Sequence, residues 1–109
     1  LMFDEQAAEV LATTDLIAER VRKTGNTALR SIGDVARRQS LTDNEAEFVS
    51  PADMLAELRQ DNLSLVESLR AAKELAGAAS DNATDGGIDD WTDQAEQRAW
   101  FLFEASRNV

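Results

Sequence analysis

Histidine and cysteine are both absent from this 109-residue chain, and each absence removes a class of chemistry. Without thiols there is no disulfide and no thiolate metal centre, a composition that fits the cytoplasm. Without imidazole, these residues cannot assemble a histidine triad, a histidine proton relay or a histidine zinc site. Long apolar runs are missing too: none approaches the ~20 residues that a membrane-spanning helix needs. The opening Leu1-Met2-Phe3-Asp4-Glu5 lacks the basic start and extended apolar core of a secretory leader. Basic side chains are scarce, 11 against 21 acidic ones, for a net charge of −10. Such a surface repels nucleic acid and acidic membranes, and it draws in metal cations wherever its carboxylates converge. The plainer alternative is an acidic surface that only keeps the protein soluble.

What is present is helical, on the scale of one domain at most. Residues 1–23 predict an amphipathic helix, with Phe3, Ala7, Val10, Leu11, Ile17, Ala18 and Val21 at three- and four-residue steps. Arg20, Arg22 and Lys23 collect where a helix dipole favours cations, and Gly25 supplies a left-handed stop. A shorter pattern over residues 27–39 runs through Ala28, Leu29, Ile32, Val35 and Ala36, weakened by Gly33. A polar connection over 40–49 leads to Ser50-Pro51-Ala52-Asp53, an N-cap, a first-position proline and an early acid. From there Leu55, Leu58, Asn62, Leu65, Leu69, Ala72 and Ala76 sustain a helix for about seven turns. Asn62 interrupts the apolar stripe, either to make a specific hydrogen bond or because it marks the stripe's edge.

Ala79-Ser80-Asp81 is a break. The last helix reaches about Ser106, with Ile88, Trp91, Ala95, Ala99 and Leu102 facing one way and Phe103 beside them. Because Gly86-Gly87 disfavours helix by about 2 kcal/mol relative to alanines, this helix is expected to begin at Ile88, after a cap and loop over 81–87. No strand-period segment and no internal repeat appears, so the fold class is all-α. Three long helices and a short one leave a four-helix bundle without a wall. The chain opens on Leu1-Met2-Phe3 with no capping residue, so an upstream segment is expected to supply that wall.

Three stretches carry a family resemblance. Phe3-Asp4-Glu5 followed by Asp15-Leu16-Ile17-Ala18-Glu19-Arg20 resembles the second half of the metal motif of the Dps miniferritins, in the ferritin-like superfamily. That motif reads His, three residues, Asp, ten residues, Asp, three residues, Glu-Arg. Pro51 to Leu58 and Trp100 to Ala105 look like the third- and fourth-helix signatures of the family's proteobacterial branch. The resemblance covers residues 1 to about 107. It implies a ferritin-like four-helix bundle over 1–109, with the first helix and the start of the second missing. It also implies a ferroxidase that oxidises Fe(II), with hydrogen peroxide as oxidant, and stores ferric mineral in a twelve-subunit shell. Iron is the implied metal, with Asp4, Asp15 and Glu19 as its ligands. The family's histidine would fall immediately before Leu1, and a second lies further upstream.

Apart from the family, Asp4, Asp15 and Glu19 fall within about 60° of one another on a helix face. A solvated surface is the plain reading of three such acids, yet Ala8, Leu11 and Ala12 flank them. Asp4 and Asp15 lie roughly 16 Å apart along the axis, so one chain cannot hold one ion with both. Two copies packed antiparallel about a dyad between residues 9 and 10 set residue i opposite residue 19 − i. Asp4 then faces Asp15 of the second copy, and Glu19 faces the position before Leu1. This agrees with the intersubunit site that the resemblance implies.

Asp81, Asp85, Asp89 and Asp90 form a second cluster. In the family this junction lines a three-fold pore for Fe(II), with Asp81, Asp85 and Asp89 as the candidates; helix capping is the alternative. Trp91, Trp100, Phe101 and Phe103 read as core and intersubunit packing rather than an electron relay. A different class of function is a structural cage or DNA-compacting subunit without chemistry. Some family members bind DNA through a lysine-rich tail, but Ser106-Arg107-Asn108-Val109 carries one basic residue, so DNA affinity would require an upstream segment. A third is a generic helical interaction module. No membrane partner is expected.

Overall fold

The computed structural model describes residues 1–107; Asn108 and Val109, half of the C-terminal stretch read for DNA affinity, lie outside it. Four helices follow in order: α1 (Met2–Lys23), α2 (Ile32–Arg38), α3 (Pro51–Ala78) and α4 (Asn82–Ser106). There is no strand among the described residues. The chain divides into two compact units, Leu1–Thr42 with α1 and α2, and a second from Asp43 onward with α3 and α4.

In the first unit, α1 ends as its sequence dictates. Gly25 takes φ +90, which lets the Asn26 N–H reach the Val21 carbonyl and the Gly25 N–H reach that of Arg22. These two bonds close a Schellman cap. Helix α2 is shorter than the 27–39 expected. Ser31 accepts from the Asp34 N–H and starts the helix there, leaving residues 27–30 outside it. Asp34 then gathers the Arg30 N–H, Arg37 and Arg38 around its carboxylate. Local capping thus outweighs the weak apolar repeat of Ala28 and Leu29.

In the second unit, Ser50 caps α3 by accepting from the Asp53 N–H, with Pro51 at the first helical position. Helices α3 and α4 pack antiparallel, as cross-links Asn62–Arg98, Arg70–Glu96 and Lys73–Asp89 require. Their shared core holds Leu55, Val66, Leu69 and Ala76 from α3 and Ile88, Trp91, Ala95, Ala99 and Leu102 from α4. Between them Ser80 adopts φ 58, the Asp81 N–H reaches the Ala76 carbonyl, and the Asp81 side chain accepts from the Thr84 N–H. One residue thereby closes α3 and opens α4.

One expectation needs correction. Helix α4 begins at Asn82, not Ile88, and carries Gly86 and Gly87 inside it. Of the aromatic run only Trp91 lies in the core; Trp100 is 59% exposed, and Phe101 and Phe103 are exposed as well. A helix pair buries one face of each member, and these three rings project from other sides of α4. Arg59 and Arg107 lie over the Phe103 ring at 5.0 and 4.9 Å from its centroid.

Candidate functional site

Asp4, Asp15 and Glu19 share the one regular helix α1, so its geometry sets their spacing. All three are exposed. Asp15 and Glu19 are one turn apart, whereas Asp4 stands eleven residues from Asp15, roughly 16 Å along the axis. Among the described residues no three carboxylates converge closely enough to hold a metal ion. One copy therefore presents an acidic face rather than a metal cage. Beside the acids on that face run Ala8, Leu11 and Ala12, all exposed, Leu11 to 70%. Exposed apolar side chains at helical spacing next to acids mark a surface suited to a partner helix.

The α3–α4 junction gathers its acids differently. Lys73 on α3 donates from Nζ to Asp85 and Asp89, both at 2.7 Å. Those two bonds hold the lysine's pKa above its usual value, Asp85 contributing most. Asp81 is committed to capping α4, accepting from both the N–H and the hydroxyl of Thr84. Asp90 accepts from Gln94. The helix-capping alternative thus describes Asp81 within one chain, and a lysine balances the other two pore candidates.

Lys73 and Arg98 were not singled out from the sequence. Arg98 is 3% exposed, and its Nε donates to Asn62 Oδ1 at 2.8 Å. Asn62 in turn donates to the Leu58 carbonyl at 2.8 Å, so it makes a specific hydrogen bond rather than merely edging the stripe. The signal for Arg98 was its place: it falls three residues after Ala95 and four before Leu102, on the apolar face of α4. Asp61, near Glu57 on α3, has its carboxyl pushed up by burial first and by the Glu57 charge second. An open groove of about 450 Å³ lies at the start of α3 between Asn44, Phe48, Asp53 and Glu57, and it includes none of the site residues expected from the sequence.

No described helix is long and apolar enough to cross a membrane. No curated protein and no solved structure matches the chain. The family model described as Ferritin, ferritin-like domain, matches residues 1–108, and that family in general binds iron to store or oxidise it. With four helices in place and a match over nearly its whole length, the chain belongs to the ferritin-like domain family.

Proposed function

We propose that this protein is a Dps-type miniferritin subunit, which takes Fe(II) as substrate, oxidises it and stores the ferric product inside a shell of twelve subunits. The observation that carries this reading is the single face of α1 that presents Asp4, Asp15 and Glu19 beside exposed Ala8, Leu11 and Ala12. Burying that apolar stripe against a second copy of α1 is favourable by about 25 cal/mol for each Å² removed from water. In the antiparallel register 19 − i, the same packing brings Asp4 of one copy to Asp15 of the other, at two symmetry-related sites. Hard carboxylate oxygens, completed by the imidazole that the resemblance expects, suit Fe(II). Two Fe(II) ions supply the two electrons that reduce one hydrogen peroxide, with two protons, to two waters. This removes both reactants of damaging radical chemistry and so protects DNA. A net charge of −10 opposes binding to duplex DNA at physiological salt. The cytoplasm is the proposed location. Asp81, Asp85 and Asp89, repeated around a three-fold axis, would line the entry for Fe(II), with Lys73 reducing their net charge.

A non-catalytic shell subunit is the competing reading. One experiment separates the two. Fe(II) oxidation by peroxide is measured in the whole protein for Asp4→Asn, Asp15→Asn and the double variant, with Glu67→Gln as control. Shared sites predict strong losses for each single change and a double variant hardly worse than either. Multiplicative losses would assign the two acids to separate sites, and no loss would leave them as a solvated surface.

A further inference from the structure

Helix α4 contains a stretch that its own sequence resists. Gly86 and Gly87 sit consecutively inside it, and each lowers the helix equilibrium about fivefold relative to alanine. Apolar burial on α4 begins only at Ile88; Asn82 and Ala83 are exposed, and Thr84 and Asp85 half-buried. What holds residues 82–87, ahead of that burial, is polar. Asp81 caps them, and Lys73 from α3 binds Asp85 and Asp89, which stand on either side of the glycine pair.

We propose that the start of α4, residues 82–87, forms a latch that opens and closes independently of the rest of the helix, with Lys73 as the catch. One ammonium spans the weak glycine step by gripping both flanking carboxylates, so a single contact restrains the segment. The step itself is not free to be strengthened at every point. A Cβ on Gly87 would come 3.1 Å from Cη2 of buried Trp91, whereas one on Gly86 would meet nothing within 4 Å. Lys73 is about 44% exposed at its side chain, so salt screens its grip. Ionic strength therefore sets how often residues 82–87 unwind and release Asp81 and Asp85 from their present partners.

Backbone hydrogen exchange followed by mass spectrometry tests this on the assembled protein, comparing peptides over 82–87 with those over 92–106. Lys73→Met is expected to speed exchange in 82–87 by about threefold or more and leave 92–106 unchanged. Raising sodium chloride from about 0.1 M to about 1 M should do the same to the unmodified protein and add little to Lys73→Met. Gly86→Ala should slow exchange in 82–87 about fivefold in either background. Unchanged exchange on Lys73→Met, acceleration spread evenly along α4, or indifference to Gly86→Ala would each overturn the latch.

Discussion

Replacing Arg98 is the most informative perturbation of the bundle, because its charge lies inside the α3–α4 interface at 3% exposure. Its Nε–H points at Asn62 Oδ1 over 2.8 Å, and the Asn62 amide is itself held by the Leu58 carbonyl. Asn62→Leu removes one acceptor from a charged group that is held away from water. A hydrogen bond to a charged group contributes about 1.5–3 kcal/mol, so a loss of about 2 kcal/mol is expected. Arg98→Met keeps an unbranched apolar stem and takes the donor away from Asn62, a neutral amide. Asn62 is half-buried and can turn to water, which limits that loss to about 1 kcal/mol. In the double variant both polar groups are gone and two apolar side chains meet, an exchange that is often neutral or better. The double variant should therefore be more stable than Asn62→Leu alone, with a coupling of about 2 kcal/mol or more. Urea unfolding monitored by the fluorescence of Trp91 and Trp100 measures all four proteins, provided the slopes agree. Additive losses would refute the argument that Asn62 exists to satisfy Arg98.

Two further outcomes follow from backbone and burial. Ser80 holds φ 58 at the α3–α4 turn, so Ser80→Gly should raise stability by about 1 kcal/mol, and a lower thermal midpoint would contradict it. Burial and Glu57 raise the Asp61 pKa, so the group favours the folded state below the ordinary carboxylate range. That contribution disappears as pH rises through the raised folded value, leaving a charge the fold disfavours. Asp61→Asn should accordingly stabilise at pH about 7 and lose the advantage near pH 3, as thermal melts at both pH values would show. An equal effect at both would contradict the charge argument.

Much of the secondary structure was legible because its causes are local. Gly25 after a basic turn, Ser50-Pro51 before an apolar repeat, and Ala79-Ser80-Asp81 between two repeats each act through backbone geometry within a few residues. The apolar stripes of α3 and α4 were legible too, since period 3.6 needs no knowledge of the partner. The start of α4 was misjudged for the same reason in reverse. Glycine propensity is local, but Lys73, twelve residues before Asp85, overrides it from another helix. Likewise Ala28 and Leu29 offered a helical repeat with no core to bury it, and Ser31 capped the helix later.

For the candidate site, sequence alone set the carboxylates of α1 on one face, because a regular helix converts spacing into angle. It also set the acidity of the α3–α4 junction. Tertiary structure decided what those acids meet. It placed Lys73 between Asp85 and Asp89, gave Asp81 to Thr84, and buried Arg98 against Asn62 thirty-six residues away. Such pairings depend on the register between helices, which the packing of whole apolar faces determines and no short motif encodes.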